Sequence, residues 1–332
     1  MATRANLRED VPLAPFTTLG IGGPARFYLL AEDEAAVRRA VSWAADQGHR
    51  WMVLGGGSNL LVSDEGFPGL VIHLATRGLA FEDGTARAAA GEEWDGLVAA
   101  CVARGLAGIE CLSGIPGRVG ATPIQNVGAY GQEVREVIRE VRCFDTVTGS
   151  DVSFDAEECR FAYRDSRFKS EDAGRYVVLE VTYALRPGGA PTVRYADLQN
   201  ALCSRTPSLQ TVRDTVIAVR RRKSMVLDPQ DSNSRSVGSF FTNPIVSEAV
   251  DGAPGHPTAD GRVKLSAAWL IEQTGFPKGY RDGAVGLSDN HTLAIVNRGG
   301  ATAADVKRLM RAIQEGVQAR FGVWLVAEPV FV

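Results

Sequence analysis

W-M-V-L-G-G-G-S-N-L-L-V, residues 51–62, joins two apolar runs through three consecutive glycines, Ser58 and Asn59. Three glycines let the backbone take positive φ and approach a ligand with no Cβ in the way. Successive N–H groups in such a turn make a concave nest suited to a phosphate. The continuation decides the fold. A dinucleotide-binding βαβ fingerprint or a P-loop opens a helix after its glycines, and a P-loop also carries Gly-Lys-Ser/Thr. Here Leu60-Leu61-Val62 reads as a second strand. The stretch predicts a strand–loop–strand anion site and argues against the two commonest nucleotide folds.

Outward from this loop, residues 27–30 read as a strand. Asp33 is placed to cap a helix whose apolar stripe is Val37, Ala40, Val41 and Ala44, ending near Gly48. Residues 51–54, 60–62 and 70–74 read as further strands. A second unit opens near Gly78, with a helix starting at Glu92 or Glu93 and burying Trp94, Leu97, Val98, Cys101 and Val102. Next comes the densest turn chemistry in the chain, S-G-I-P-G-R-V-G-A-T-P-I-Q-N-V-G-A-Y-G over 113–131, whose glycines and two prolines forbid a long helix or a regular strand. Strands are expected at 137–144, 152–154 and 176–185, a loop or linker at 186–191, and a helix over 211–222 with Val212, Val216 and Val219 inward. Further on, 265–273 reads as a helix, 292–297 as a strand and 251–261 as an exposed loop. Thr302 and Asp305 resemble a capping box. It opens a helix with Val306, Leu309, Met310, Ile313 and Val317 buried, followed by a strand at 321–326.

At 332 residues the chain is long for one domain, and its 45% apolar and 23% charged content is that of a globular protein. The net charge of −3 supplies no general field for nucleic acid or an anionic membrane. Cys101, Cys111, Cys143, Cys159 and Cys203 are odd in number and widely spaced, so reduced, mostly buried thiols are expected rather than disulfides or zinc. His49, His73, His256 and His291 show no ligand spacing, and no metal is expected. The start of the chain has no apolar signal-peptide core and no run is long enough to span a bilayer. A cytoplasmic protein is expected.

One glycine triplet alone would be an ordinary turn. Two glycine-rich segments, the second carrying Thr122, Gln125 and Asn126, suggest a large ligand such as a dinucleotide cofactor. Three further segments hold polar residues in constrained settings. C-R-F-A-Y-R-D-S-R-F-K sets Tyr163 and Arg164 beside Asp165 and Ser166. A guanidinium fork suits a carboxylate, although spacing alone favours a surface ion-pair cluster. V-G-S-F-F-T-N-P places Ser239 between a glycine and two phenylalanines, either as a desolvated proton donor or as a turn serine. W-L-V-A-E-P-V holds Glu328 in an apolar run, either exposed at an edge or buried with a raised pKa.

Together these segments resemble one family, the flavoenzyme UDP-N-acetylenolpyruvoylglucosamine reductase of bacterial peptidoglycan synthesis. The pieces that carry the resemblance are T-T-L-G-I-G-G-P-A, L-G-G-G-S-N-L-L, I-P-G-R-V-G-A-T-P-I-Q-N-V-G-A-Y-G, C-R-F-A-Y-R-D-S, G-S-F-F-T-N-P, A-A-W-L-I-E-Q and the terminal W-L-V-A-E-P. Their order and spacing cover nearly the whole chain. The resemblance implies an α+β architecture: a two-subdomain FAD-binding fold of the vanillyl-alcohol-oxidase type over 1–76 and 77–222, then an α/β substrate-binding domain over 223–332. It implies non-covalent FAD held by Gly55, Gly56, Gly57, Ser58 and Asn59 at the pyrophosphate. Pro116, Gly117, Gly120, Ala121, Thr122, Asn126 and Gly128 would complete the cofactor site.

The implied reaction uses NADPH as co-substrate to reduce the flavin. The enolpyruvyl ether of UDP-N-acetylglucosamine enolpyruvate then receives hydride, leaving an enolate that must be protonated. Arg164 matches the cation that holds this enolate, Glu328 the acid that hydrogen-bonds its carboxylate, and Ser239 the proton donor. Tyr163, Tyr195, Lys223, Asn243 and His291 match substrate positions. Tyr195 implies the larger type of the family, whose tyrosine loop covers the substrate, and a monomer is expected.

Two departures stand out. Where the enterobacterial type has a phosphate-binding lysine, this chain has Met225, leaving Lys223, Arg222 or Lys278 to serve. Where that type has a glutamine, this chain has His291. Two other readings compete. A flavin oxidase of the same fold often tethers flavin through a histidine in the first loop, which here holds Ser58 and Asn59. A nucleotide-sugar sensor would not require Arg164, Ser239 and Glu328 together.

Overall fold

The computed structural model describes residues 7–202 and 206–332. The chain forms two compact units: one from the segments up to Val11, Ala25–Gly56 and Pro68–Arg221, the other from Pro12–Pro24, Gly57–Phe67 and Arg222–Val332. The glycine triplet is divided between them, after Gly56.

The first unit is built on two larger sheets. One runs in the order Arg8–Pro12, Pro24–Ala31, Phe67–Leu74, Trp51–Leu54, with the last two parallel and Trp51 opposite Leu70. The helix Glu34–Asp46 packs beside it. Asp33 caps it as expected, its carboxylate accepting from Ala36 N at 2.6 Å, and Gly48 ends it at φ +66°. Its predicted stripe of Val37, Ala40, Val41 and Ala44 is buried. The other sheet is antiparallel in the order Ser150–Asp155, Ile138–Asp145, Tyr176–Ala184, Thr85–Ala89, Leu79–Glu82. Its last two strands form a hairpin absent from the sequence reading. The helix Trp94–Ala103 buries all five residues of its predicted stripe. One apolar core runs from Leu29 on the first sheet to Leu185 after the second. Residues 186–191, read as a loop, begin with the short strand Arg186–Pro187, which pairs with Leu106–Ala107.

The second unit holds two small three-stranded sheets and two helices, Ala267–Glu272 and Ala303–Phe321. Thr302 and Asp305 form the expected capping box. Val306, Leu309, Ile313 and Val317 are buried, and Met310 is partly so. The helix expected at 265–273 starts later because Ser266 caps it by accepting from Trp269 N, while Leu265 belongs to the strand Val263–Leu265. The exposed loop at 251–261 contains a strand, Gly255–Pro257, set against Val263–Leu265. The strand expected at 292–297 covers only Ile295–Asn297.

One strand expectation near the C-terminus needs correction. Residues 321–326 are not a strand: Phe321 ends the long helix, Gly322 caps it at φ +67°, and Val323 and Leu325 are buried without a ladder partner. The pattern alternates because the segment lies extended over the core, not because it pairs. The true terminal strand is Val330–Phe331, parallel to Leu60–Leu61. The run after the glycine triplet is thus a strand, as read, but belongs to the second unit's own pairing.

Cys101, Cys111, Cys143 and Cys159 are free and buried, and burial pushes the thiols of Cys101, Cys111 and Cys159 up to about 12. Cys203 lies outside the described residues. Among the described residues no histidine, cysteine and carboxylate cluster could hold a metal, and no helix is long and apolar enough to cross a membrane.

Candidate active site

The two glycine-rich segments meet inside the first unit. A Cβ at Gly56 would stand 2.7 Å from the Cα of Gly117, closer than side-chain carbons pack. The second segment is fixed to the start of the helix Trp94–Ala103, with Trp94 N donating to Gly117 O at 3.1 Å and Val119 N to Glu92 O at 2.9 Å. Gly120 N donates to Ala90 O at 2.9 Å, and a Cβ there would meet the Ala90 Cβ at 2.6 Å. Pro116 precedes this stitch, and Ala121 closes the single 3-10 turn Val119–Ala121. In the second unit, Gly57 takes φ +60°, and a side chain there would overlap the carbonyl of Phe16. The carbonyl of Gly57 accepts from Thr18 N at 3.1 Å. Among the described residues the N–H groups of Gly56 and Gly57 donate to no protein group. Glycines that exclude side chains and leave backbone donors uncommitted are the features a pyrophosphate needs, so this loop fits FAD.

The side chains of Thr122 and Asn126 have protein partners. The Thr122 hydroxyl is buried against the Tyr183 hydroxyl at 2.8 Å and the Val119 carbonyl. The Asn126 amide nitrogen donates to Glu133 and to the Ala162 carbonyl, both at 2.9 Å, and its oxygen accepts from Arg135 N at 3.2 Å. These side chains brace the loop from the interior. Gly128 begins the short ladder with Gln132–Glu133.

The Asn126 network supports the turn that carries Arg164. Ala162 and Asp165 exchange backbone hydrogen bonds, and Arg164 between them sits at φ +57°. A non-glycine residue in that region is held by its surroundings and often marks a functional position. Its guanidinium donates to Gly128 O at 2.7 Å, and its carbonyl accepts from Lys169 Nζ at 3.0 Å. The Arg164 Cζ lies 5.4 Å from the Tyr163 ring centre. The turn thus aims one arginine, whose guanidinium is tied to the Gly128 carbonyl. Tyr195 precedes the helix Ala196–Ala201, is half-exposed, and meets Tyr130 edge-on at 5.7 Å.

In the second unit Ser239 and Glu328 stand on facing backbone segments. Glu328 N donates to Phe240 O at 2.9 Å, and Phe241 bridges Ala327. Asn59 holds the same segment, its side chain donating to Glu328 O at 3.3 Å while its carbonyl accepts from Val330 N at 2.9 Å. Ser58 precedes it, partly buried. Phe240 and Phe241 are fully buried, which fixes the partly exposed Ser239. Its Oγ lies 3.1 Å from His291 Nε2, a pairing that sequence spacing did not show. Lys223 leads into a turn in which Ser224 takes φ +55° and accepts from Asn290 Nδ2 at 2.9 Å. Met225 Cε then lies 3.5 Å from a Cβ built on Gly238. Residues 223–225, 238–239 and 290–291 are thus gathered together. Asn243 lies beside this group, with its side-chain oxygen accepting from Ala267 N at 3.0 Å at the start of a helix.

Arg220 was missed. It is buried, donates to Gly114 O at 3.2 Å, and hydrogen-bonds Tyr130; burial pushes its pKa down. Its signal was available, because it follows Val216 by one helical turn on the apolar face of Leu209–Arg222.

Comparison with known proteins gives consistent results. Residues 25–154 match the model of an FAD binding domain, and 228–332 that of the UDP-N-acetylenolpyruvoylglucosamine reductase C-terminal domain. The UDP-N-acetylenolpyruvoylglucosamine reductase of Thermobifida fusca is 49% identical, over 98% of this chain and 97% of its own length. That of Mycobacterium tuberculosis is 45% identical over 99% and 96%. The crystal structure of the reductase from Thermus caldophilus superimposes with a TM-score of 0.70 at 29% identity, over 98% of this chain and 99% of that one.

Proposed function

This chain belongs to the UDP-N-acetylenolpyruvoylglucosamine reductase family, and on that premise we propose that Arg164, Ser239 and Glu328 carry the reduction of the enolpyruvyl ether. The chain is an oxidoreductase of peptidoglycan synthesis that uses FAD and NADPH to convert UDP-N-acetylglucosamine enolpyruvate to UDP-N-acetylmuramate. FAD, when bound, carries the reducing equivalents of NADPH to the vinyl ether. The backbone of Gly55–Asn59 and of Pro116–Gly128 would hold it. We read 1–76 and 77–222 as its two subdomains and 223–332 as the substrate domain, in a cytoplasmic monomer that acts on small molecules and not on nucleic acid or membranes.

Reduction at the terminal carbon of the vinyl ether leaves negative charge on the carbon beside the carboxylate. That charge spreads onto the carboxylate oxygens. A preorganised cation there lowers the barrier more than one that must reorganise, and Arg164 has its fork fixed on Gly128 before any ligand arrives. The resulting enolate needs a proton on carbon. Ser239 supplies it, in a segment immobilised by Phe240 and Phe241. Glu328, protonated, donates a hydrogen bond to the substrate carboxylate. Lys223, Tyr195, Tyr163 and Asn243 orient the sugar nucleotide, with Lys223 on its phosphates in place of the lysine that Met225 replaces.

The observation that supports these roles most directly is the bond from Glu328 N to Phe240 O, which sets the acid beside the residue that follows Ser239. Glu328→Gln keeps a neutral N–H donor, so it should reoxidise with substrate within about tenfold of wild type. Glu328→Ala should lose roughly 10²-fold or more, the scale of a positioned general acid or donor. Stopped-flow flavin absorbance separates this step from reduction by NADPH. Equal loss in both variants would remove the donor role.

A further inference from the structure

We infer that His291 is a positioning residue for Ser239: its Nε2–H holds the serine oxygen, so that the serine's own proton faces the substrate carbon. The inference rests on the proton-donor reading of Ser239 and deepens it. The two atoms are 3.1 Å apart, and both residues are pinned by their neighbours. On the serine side, Phe240 N donates to Leu293 O at 2.7 Å and so ties the segment to the turn that follows His291. On the histidine side, Asn290 Nδ2 donates to Ser224 Oγ at 2.9 Å, and the Thr292 hydroxyl donates to Glu272. Ala294 N also closes back on His291 O at 3.1 Å. The backbone that carries the imidazole is therefore held before substrate arrives, and the ring itself meets Ser239.

A lone hydroxyl rotates freely and offers its proton in any of several directions. A hydrogen bond donated to its oxygen removes the wrong orientations and holds the developing alkoxide. In the transfer the Oγ–H bond breaks as the new C–H bond forms at the enolate carbon. The alkoxide left on Oγ is stabilised by the Nε2–H until water returns its proton. An arrangement with the serine proton on the ring nitrogen would suit a nucleophile, not an acid, so the tautomer with hydrogen on Nε2 is the one the reaction needs.

The test uses the flavin-loaded enzyme and three variants. His291→Ala should bind flavin and be reduced by NADPH as wild type, but reoxidise with substrate about a hundredfold more slowly, the scale of a lost orienting contact. His291→Gln retains an N–H donor and should recover to within about tenfold of wild type. Ser239→Ala is the reference. If it is crippled in reoxidation while His291→Ala is not, the positioning role falls and the proton-donor role stands. If Ser239→Ala reoxidises normally, the donor reading itself fails. Equal slowing of both half-reactions in His291→Ala, or a His291→Gln as slow as His291→Ala, also overturns the inference. Independently of turnover, nitrogen-15 NMR of the imidazole should show hydrogen on Nε2, with that signal shifting in Ser239→Ala. A proton on Nδ1 alone contradicts it.

Discussion

Gly56 and Gly117 approach so closely that a Cβ on the first would stand 2.7 Å from the Cα of the second. Segments far apart in the chain therefore touch backbone to backbone, and Gly56 tolerates no side chain at the junction. Gly56→Ala forces them apart, at an overpacking cost of about 1–3 kcal/mol. Because 1.4 kcal/mol is tenfold in affinity, a cost of that size borne by the flavin-bound state weakens flavin roughly five- to 150-fold. The ratio of flavin to protein after purification, read from absorbance, checks this. A full complement of flavin in Gly56→Ala would contradict the shared-cradle reading.

The hydroxyl of Thr122 lies 2.8 Å from that of Tyr183. Thr122→Val leaves the buried Tyr183 hydroxyl without that partner, which should cost about 1–3 kcal/mol of stability. Flavin affinity should stay within a few-fold of wild type. Urea unfolding and flavin titration separate the two effects. Lost flavin binding with unchanged stability would reverse the assignment.

Arg164→Lys keeps the charge and loses the planar fork that bonds Gly128 while facing a carboxylate. The reoxidation step should slow about a hundredfold, with reduction by NADPH little changed. Stopped-flow absorbance of each half-reaction is the check. Equal rates in Arg164→Lys and wild type would remove the guanidinium geometry from the account.

Much of this was legible in the sequence because local chemistry and tertiary need coincide. Asp33, Thr302 and Gly48 end helices with side-chain oxygens or a left-handed backbone that need no distant partner. The hairpin Leu79–Glu82 to Thr85–Ala89 was missed although Asp83-Gly84 gives the commonest two-residue hairpin turn, with φ of +44° and +80°. Its small residues, T-A-R-A-A, carry little strand preference. The segment 321–326 was misread because alternation reports which face is buried, not whether a neighbour pairs. Within the site the glycines announced themselves, while the role of the arginine segment came only from the family resemblance. The pairing of Ser239 with His291 did not, because it depends on a contact between distant stretches. The inward use of Thr122 and Asn126 was invisible for the same reason.

The carboxyl of Asp305 is held down to about 2, first by the Arg308 guanidinium and then by the Thr302 hydroxyl and backbone N–H. A depressed acid contributes stability that is present above its ordinary value of 3.8 and is lost as pH falls toward 2. Thr302→Ala, which removes the other half of the capping box, should cost about 1 kcal/mol at neutral pH. Wild type should exceed Asp305→Asn in unfolding midpoint at pH 7, and the gap should shrink between about pH 4 and pH 2. A gap that grows on acidification would contradict the assigned sign.

The proton transfer by Ser239 is best tested by single-turnover reoxidation of Ser239→Ala. The flavin-loaded variant is reduced anaerobically with one equivalent of NADPH, then mixed with UDP-N-acetylglucosamine enolpyruvate while flavin absorbance is followed. Bleaching by NADPH should match wild type, and the return of colour should be slower by roughly 10²–10⁴-fold, as for loss of a general acid. Colour returning at the wild-type rate, or both steps slowing together, would contradict the role assigned to Ser239.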